Sequence, residues 1–380
     1  MTNQEWEYNL LLDKIADEIN ISDAMRDKAV SSYQAVGKWI GDGMDWDVEI
    51  MPQGSMNLGT IIRPITDFDD GYDMDLVCLL KNGYVLSLKD IKNLVGNRLK
   101  ENLIYKDKLD DEGKRCWTLN YNGFHMDILP CVPKNIVFNK PENTEIKLTH
   151  KNENHMYEPR YSDPFKYHNW FEERMKSVLN IAKGAYATRN QVEIDTVPTY
   201  KVRTPLQKAI QLLKRHRDIC FQDKDDAPIS IILTTLAAQA YNGENNIYEA
   251  LCHILTKMPI YIENRVGVYW IENPVMPEEN FADKWNENSN KKDAFYSWLS
   301  QAKKDIITMP LSKRGLDVIS PMLKETLGEA PVKRAMIKMA NSMRDNCLKS
   351  NLYAKGLTGG LTTHAGISSM PIQPHTFYGK

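Results

Sequence analysis

Two aspartates stand two residues apart at the start of a strongly apolar run. Asp73 and Asp75 lead directly into residues 76–80, LVCLL, a composition that is typical of a buried β-strand. Residues i and i+2 of a strand point to the same face, so both carboxylates would lie on one side of a sheet. Converging carboxylates can hold two Mg²⁺ ions about 3.5 to 4 Å apart, as in many phosphoryl-transfer sites. The pattern therefore indicates metal-dependent phosphoryl transfer.

A third carboxylate is expected beside this pair. The dipeptide Asn122-Gly123 is the preferred two-residue turn of a β-hairpin, and the residues on both sides of it have the character of strands. Asp127 would then lie in the middle of the second strand. If that strand pairs with the first aspartate strand at a spacing of about 4.8 Å, the three carboxylates converge. Their repulsion, about 4 kcal/mol per pair at an effective dielectric of 20, is a cost that a divalent cation would relieve.

A glycine and a serine precede these carboxylates. Residues 48–51 alternate as a short strand that leads into Gly54 and Ser55. A glycine there lets backbone amides approach a phosphate with no Cβ in the way, and the serine hydroxyl adds a donor. By itself the pair could equally be an ordinary turn, but ahead of the aspartates it predicts phosphate binding. The acidic residues in between are interpreted as a solvated loop rather than as metal ligands: Asp67, Asp69 and Asp70.

Helices and strands in mixed order must position these groups. Periodic apolar residues predict helices over residues 3–19, from the N-cap Ser22 to about Trp39, and over 87–102 between the two aspartate strands. This order predicts an α+β fold with a mixed sheet flanked by helices. Neither a G-x-G-x-x-G motif nor a Walker A motif occurs, so phosphates must be held in another way.

At these residues the sequence resembles the polymerase-β-like nucleotidyltransferases, whose pattern is a Gly-Ser turn, an Asp-x-Asp strand and a later strand aspartate. The matching positions are Gly54-Ser55, Asp73, Asp75 and Asp127. The resemblance implies the α+β core of that superfamily and a C-terminal helical lobe that closes the active-site cleft. It also implies two Mg²⁺ ions, or Mn²⁺ in their place, held by the three aspartates.

Within that superfamily the sequence looks like the bacterial cGAS/DncV-like nucleotidyltransferases, the CD-NTases, which make cyclic oligonucleotide signals. The residues that show this likeness are Gln-Gly-Ser at 53–55, Leu-Gly-Thr at 58–60, Ser-Asp-Pro at 162–164 and Trp-Phe at 170–171. The resemblance implies a synthase that joins NTPs, ATP among them, into a second messenger. It also implies a place in bacterial anti-phage (CBASS) signalling.

A basic helix is expected to contact the triphosphate. Pro205 fits the first turn of a helix that continues from Leu206 to Cys220. Residues 201–217 hold six Lys or Arg and no acid, and a triphosphate needs compact cationic partners beyond its metal. Any one of these side chains could instead belong to a solvated cationic face.

The resemblance narrows the choice of nucleotide-binding residues. It assigns Lys214, late in the basic helix, and Ser230, at the start of the next helix, to the donor triphosphate. It also adds Gln53 to the nucleotide-binding turn at Gly54-Ser55. Ile231 stands where several relatives have an aromatic residue that stacks on the donor base, so no residue is assigned to the base.

Composition and charge limit the class of protein. With 380 residues, 42% of them hydrophobic, the chain can form two domains with real cores. The 48 basic and 50 acidic residues give a net charge of −2, so no footprint for long nucleic acid is expected. Six cysteines without C-x-x-C or zinc spacing favour reduced thiols and a cytoplasmic location. No apolar run approaches the ~18 residues of a membrane span.

Three regions are expected along the chain. They are a nucleotidyltransferase core with the N-terminal helices over 1–204, a helical lobe over 205–355 and a flexible tail over 356–380, where Gly, Ser, Thr and Pro replace periodicity. Residues 139–168 are predicted to be a long surface loop, followed by a helix from Trp170 to about Tyr186. A ubiquitin-transfer-like partner is hypothesised for the tail, because a partner of this kind acts on the C-terminus of some anti-phage CD-NTases.

Two other functions compete with cyclic oligonucleotide synthesis. A tRNA- or polymer-directed nucleotidyltransferase would use the same carboxylates, but it would be expected to show a broad basic surface. A non-catalytic nucleotide-binding regulator would be expected to have lost a metal carboxylate or the Gly-Ser turn. This sequence retains the three carboxylates and the Gly-Ser turn.

Overall fold

The computed structural model describes residues 1–65, 71–135, 143–222, 224–349, 351–355, 361–363 and 369–372. The acidic residues Asp67, Asp69 and Asp70, predicted to form a solvated loop, lie outside these ranges. Within the described ranges, no helix is both long enough and apolar enough to cross a membrane. All six cysteines are free thiols.

Two N-terminal helices open the chain, as predicted. α1 (Asn3–Ile19) begins with a capping box in which the side chains of Thr2 and Glu5 accept hydrogen bonds from each other's backbone amides. α2 (Asp23–Asp42) has Ser22 as its N-cap. α1 contributes its buried face to a large helical core, whereas α2 packs on the central sheet.

The described residues of the first half of the chain form four further α-helices: α3 (Gly54–Asn57), α4 (Leu88–Glu101), α5 (Leu103–Lys106) and α6 (Pro164–Asn190). α4 confirms the prediction for residues 87–102, and the Ser87 hydroxyl accepts a hydrogen bond from the backbone amide of Asp90. α3 is a single turn that immediately follows the first strand and contains the predicted Gly-Ser pair.

The central sheet has six strands: β1 (Val48–Pro52), β2 (Tyr72–Leu80), β3 (Trp117–Tyr121), β4 (Phe124–Pro133), β5 (Ile146–Lys151) and β6 (Tyr157–Ser162). They are ordered β1-β2-β4-β5-β6, and β3 pairs with β4 as well. β2 and β4 are parallel, whereas the other pairings described in this sheet are antiparallel. The predicted mixed sheet and the hairpin at Asn122-Gly123 are therefore confirmed.

The two faces of this sheet have different neighbours. On one face, alternate residues such as Met74 and Met126 pack into a core with α2 and α4. On the other face, the same alternation places Val77 and Leu129 in a smaller cluster with β5. The aspartates at 73, 75 and 127 have the parity of this second face, so α2 and α4 do not cover them.

The prediction of a loop over residues 139–168 is wrong for much of its described part. Ile146 and Leu148 on β5 face the core two residues apart, so this segment is a strand despite its polar neighbours. β6 is an edge strand, a position that tolerates Pro159. α6 begins at Pro164 instead of Trp170, because Asp163 caps it and a proline suits the first helical turn.

The C-terminal half is mainly helical: α7 (Pro205–Cys220), α8 (Ser230–Ala240), α9 (Ile247–Lys257), α10 (Asp283–Glu287), α11 (Ser289–Lys303), α12 (Met309–Leu311), α13 (Leu316–Leu327) and α14 (Glu329–Leu348). A π-helical turn, Lys304–Thr308, joins α11 to α12. α1 and α6 share the core of these helices, so the N-terminal helix packs with the lobe. The domain boundary at 204/205 stays a prediction.

Short strands interrupt this lobe, which the sequence predicted to be helical. They form two antiparallel pairs, β7 (Glu263–Arg265) with β8 (Val268–Trp270) and β9 (Glu272–Asn273) with β10 (Met276–Asn280). Val266 and Gly267 both have positive φ, which is the requirement of a tight two-residue hairpin turn.

Part of the predicted tail also forms strands, which pair with the last residues of the predicted lobe. β11 (Tyr353–Lys355), β12 (Leu361–Thr362) and β13 (Ser369–Pro371) make a small sheet in the order β12-β11-β13. Composition had indicated no regular structure beyond residue 355. The other tail residues, 373–380 among them, lie outside the described ranges.

Candidate active site

The parallel register of β2 and β4 brings the three predicted aspartates to one place. Asp75 is the direct Cα partner of Asp127, and Asp73 is the partner of His125. The Nδ1 atom of His125 lies 3.6 Å from Oδ1 of Asp73. The expected pairing of the two aspartate strands is therefore found, and His125 is a neighbour that the sequence did not indicate.

The negative charges of these carboxylates repel one another. Burial raises the pKa of Asp75 to about 6, with further contributions from the charges of Asp127 and Asp73, while Lys214 acts in the opposite direction. The pKa of Asp73, whose side chain is open to the cleft, is also raised, first by desolvation and then by Asp127. An uncompensated cluster of negative charge is a place where a cation binds favourably.

Asp127 is held from its other side. It pairs with Thr118 on β3, and the Thr118 hydroxyl donates a hydrogen bond of 2.5 Å to Oδ1 of Asp127. In the described part of the chain, no three His, Cys, Asp or Glu side chains are gathered closely enough to hold a metal ion as they stand. The three aspartates thus share a face without forming a closed ligand set.

The Gly-Ser turn lies directly against Asp75. The backbone amide of Gln53 donates a 2.8 Å hydrogen bond to the backbone carbonyl of Asp75, and this bond connects the turn to β2. Gly54 has a φ of +59°, and a Cβ at this position would lie 2.6 Å from Oδ2 of Asp75. Glycine is therefore required twice, for the left-handed backbone and for the close approach of the carboxylate.

The basic helix α7 places Lys214 in the same site. Its Nζ atom donates hydrogen bonds to the carbonyl and the hydroxyl of Thr60, at 3.3 and 3.2 Å. Burial lowers the pKa of Lys214 to about 7, with Arg217 acting in the same direction and the carboxylates of Asp218 and Asp75 acting against it. The side chain is thus a buried amine that can still take up a proton near neutral pH.

Ser230 begins α8 close to the C-terminal end of α7. Its hydroxyl oxygen accepts a 2.9 Å hydrogen bond from the Nη1 atom of Arg217, which also donates to the carbonyl of Pro228 at 3.0 Å. The Arg217 Nε donates to Asp218 at 2.7 Å. Arg217 therefore connects the two helices, and it leaves the proton of the Ser230 hydroxyl available to another acceptor.

A cavity of about 360 Å³ joins these groups. Six of the predicted residues line it: Gly54, Ser55, Asp73, Asp75, Lys214 and Ser230. Of the described residues predicted for the site, Gln53 and Asp127 lie beside this cavity rather than in its wall. Ile231 and Thr234 of α8 line it as well, so neither of these two positions offers an aromatic ring to a base.

Sequence reasoning missed the side chains that hold the turn and α7 together. The Gln207 side chain donates to the Leu58 carbonyl at 3.0 Å, and the Gln211 side chain donates to the Ile61 carbonyl at 2.6 Å. Gln207 also closes a capping box with Thr204. The T-x-x-Q spacing was a visible signal for the cap, but nothing in the sequence indicated the contact with residues 58–61.

Comparison with known proteins decides the family. Residues 7–174 match the family described as the Second Messenger Oligonucleotide or Dinucleotide Synthetase domain, SMODS. A c-di-GMP synthase from Roseivirga ehrenbergii is 33% identical over 384 residues, which cover 97% of this chain and 96% of that relative. The chain belongs to the CD-NTase family. It is a nucleotidyltransferase that synthesises cyclic oligonucleotides.

Another CD-NTase supports this result at a greater distance. The cyclic dinucleotide synthase CdnG from Bradyrhizobium diazoefficiens is 23% identical over 377 residues, covering 92% of this chain and 87% of CdnG. The structure of CdnG in complex with GTP matches with a TM-score of 0.69 at 21% identity, covering 88% of this chain and 99% of that chain. The fold is therefore that of a CD-NTase, and family membership decides against the regulator and the polymer-directed enzyme.

Proposed function

We propose that this CD-NTase joins two GTP molecules into c-di-GMP by metal-dependent nucleotidyl transfer. The observation behind the chemistry is the cavity in which Gly54, Ser55, Asp73, Asp75 and Lys214 meet. The choice of GTP is supported by the 33% identical c-di-GMP synthase and by the GTP bound in the CdnG structure. ATP, expected from the sequence, is the alternative nucleotide that an experiment must separate.

The residues present fit a divalent-cation site. Mg²⁺ prefers oxygen ligands, and Asp73, Asp75 and Asp127 offer carboxylates on one face of the sheet. Burial, and next the charges of Asp127 and Asp73, raise the pKa of Asp75, and a bound cation would stabilise its ionised form. We assign one Mg²⁺ to all three aspartates and a second to Asp73 and Asp75, with Mn²⁺ as a substitute. The chemistry supplied by such ions is activation of the attacking hydroxyl and neutralisation of the leaving pyrophosphate.

The residues of the chain itself bind and orient the donor. The Gly54 backbone and the Ser55 hydroxyl bind its phosphates, because the glycine turn exposes donors without a Cβ. Lys214 and Ser230 bind the triphosphate from α7 and α8. Holding the donor between these elements makes attack by the acceptor 3′-hydroxyl effectively intramolecular.

The protonation of Lys214 is coupled to this binding. In the nucleotide-free protein burial lowers its pKa to about 7, so the amine exchanges its proton near neutral pH. A bound triphosphate favours the cation and raises the pKa of Lys214 again.

The second bond of the ring is formed in the same site. After the first bond has formed, the linear dinucleotide releases its 3′ end and binds again with its 3′-hydroxyl in the acceptor position.

Product analysis tests this proposal directly. Purified protein is incubated with each NTP alone and with all four together, with Mg²⁺ or Mn²⁺, and the products are treated with phosphatase. We expect a phosphatase-resistant product from GTP alone with the mass of c-di-GMP, and nuclease digestion then gives the linkage. A cyclic product that requires ATP would overturn the choice of GTP. If all products are linear or polymeric, the proposed cyclisation is wrong.

The place in anti-phage CBASS signalling and the C-terminal partner belong to the same proposal. Both come from the family resemblance, and residues 373–380, where a partner would act, lie outside the described ranges. Incubation with a ubiquitin-transfer-like enzyme tests the partner. We expect a covalent adduct with the full chain and none with a variant that lacks the last residues, and equal conjugation of both proteins would remove this hypothesis.

A further inference from the structure

The third aspartate has a hydroxyl partner across the sheet. Thr118 on β3 and Asp127 on β4 are Cα partners in the antiparallel pairing of these strands. The Thr118 Oγ1 atom lies 2.5 Å from Oδ1 of Asp127 in a partly buried environment. An ionised carboxylate only accepts hydrogen bonds, so the threonine hydroxyl must be the donor.

Asp127 therefore lies between unlike neighbours. On the β2 side its partner is Asp75, and on the β3 side its partner is Thr118. The first neighbour repels a negative charge, whereas the second binds it with a charge-assisted hydrogen bond. Such a bond selects one orientation of a carboxylate that would otherwise rotate about its side-chain torsions.

A cysteine thiol also lies near the Thr118 hydroxyl. The Cys116 Sγ atom, two residues before Thr118, lies 3.7 Å from the Thr118 Oγ1 atom. The Asp127 Oδ1 atom is much nearer to Thr118 Oγ1, at 2.5 Å, so the Thr118 proton is directed to the carboxylate.

We propose that Thr118 is a positioning residue for nucleotidyl transfer, which orients Asp127 for the binding of the divalent cation. This inference rests on the proposed function, because that function assigns Asp127 to the metal. Groups that hydrogen-bond to metal ligands orient them, and their loss typically weakens metal affinity by about 10- to 100-fold. Thr118 does not touch the substrate in this proposal, and its effect passes through Asp127.

Three substitutions separate this role from simple packing. Thr118→Val keeps the shape of the side chain and removes the hydroxyl, and Thr118→Ser keeps the hydroxyl. Thr149→Val is the matched control, because Thr149 is buried in β5 of the same sheet and its hydroxyl has no hydrogen-bond partner among the described residues. Binding of Mn²⁺ alone is followed by the electron paramagnetic resonance of the free ion, without nucleotide or turnover.

We expect Thr118→Val to weaken Mn²⁺ binding by about tenfold or more, and Thr118→Ser and Thr149→Val to bind as the wild type does. In turnover, Thr118→Val should need more Mg²⁺ for half-maximal rate with little change in the KM for GTP. Wild-type Mn²⁺ affinity in a folded Thr118→Val protein overturns the inference. If Thr118→Val does not fold, Thr118→Ala takes its place as the variant without the hydroxyl, and wild-type Mn²⁺ affinity in folded Thr118→Ala overturns the inference in the same way.

Asp127→Asn distinguishes this inference from the proposed function. If Asp127→Asn weakens Mn²⁺ binding and Thr118→Val does not, Asp127 is a metal ligand and only the role of Thr118 fails. If Asp127→Asn also binds Mn²⁺ with the wild-type affinity, the assignment of the metal to the three aspartates fails.

Discussion

Asp75 and Asp127 are direct Cα partners across the parallel strands β2 and β4. The two residues are far apart in sequence, yet their side chains leave the same face of the sheet, where burial, and next the charge of Asp127, raise the pKa of Asp75 to about 6. Repulsion of this kind destabilises the metal-free protein and favours a bound cation. This relationship leads to the first two predictions.

Asp75→Asn should leave the fold intact and lower the rate of c-di-GMP formation by about 10³-fold. Several kcal/mol of transition-state stabilisation are expected from the metal site, and each 1.4 kcal/mol corresponds to roughly a factor of ten. Single-turnover rates with GTP and Mg²⁺ measure the effect. Asp27→Asn, a change of an exposed carboxylate on α2, is the control and should have the wild-type rate. Full activity of Asp75→Asn would remove this residue from the catalytic site.

The same substitution should stabilise the metal-free protein at neutral pH. The folded pKa of Asp75, about 6, lies above the ordinary value of about 3.9, so the folded state binds more protons than the unfolded state between these values. Stability of the wild type therefore falls as pH rises from about 4 to about 6. In thermal melts with EDTA, Asp75→Asn should have the higher Tm above pH 6, and the difference should vanish below pH 4. A lower Tm for the variant at pH 7 would contradict the burial of this charge.

Gly54→Ala should abolish most activity and destabilise the protein. The φ of +59° costs a residue with a Cβ about 1 to 2 kcal/mol, and the added carbon would lie 2.6 Å from Oδ2 of Asp75. Gly123→Ala is the matched control, since Gly123 also has a positive φ, of +95°, but a Cβ there would have no atom within 4 Å. Denaturant unfolding should show a loss of stability for both variants, and turnover should fall in Gly54→Ala alone. Comparable turnover in the two variants would show that the close approach to Asp75 is unimportant.

Lys214→Gln should weaken GTP binding and remove much of its pH dependence. Because the pKa of Lys214 is about 7 without nucleotide and a triphosphate favours the cation, wild-type affinity should fall as pH rises from 7 to 9, by up to about tenfold per pH unit. Calorimetric titration with a non-hydrolysable GTP measures the slope. Lys208→Gln is the control, because Lys208 lies on the same helix but contacts Asp13 on α1 at 2.6 Å. An unchanged slope in Lys214→Gln would mean that another group takes up the proton.

Ser230→Ala should raise the KM for GTP by about 3- to 10-fold with kcat little changed, because one hydrogen bond contributes about 0.5 to 1.5 kcal/mol. Arg217 already donates to this hydroxyl, so the Ser230 proton is available to the triphosphate. Steady-state kinetics with Ser300→Ala, a change of an exposed serine on α11, provides the comparison. A KM equal to that of the wild type would exclude Ser230 from the nucleotide site.

Some elements were accessible to prediction because their signals are local. α1, α2, α4 and α7 match the predicted helices closely, since their caps and apolar periods lie within a few residues of one another. β5 and β6 were missed, because their polar and proline-containing sequences become strands only through pairing with β4 and with each other. Strand formation of this kind depends on partners from elsewhere in the chain.

Short-range patterns in the sequence were enough to predict the chemistry of the site. The Gly-Ser turn, the Asp-x-Asp spacing and the Asn-Gly hairpin are short-range patterns whose geometry follows from backbone sterics and strand alternation, so they indicated phosphate and metal binding without a fold. The pairing of Asp75 with Asp127, the hydrogen bond from Thr118 to Asp127 and the buried Lys214 with a pKa of about 7 became visible in the fold alone. Strand register and burial arise from contacts between distant segments, and those contacts set the charge and orientation of the side chains.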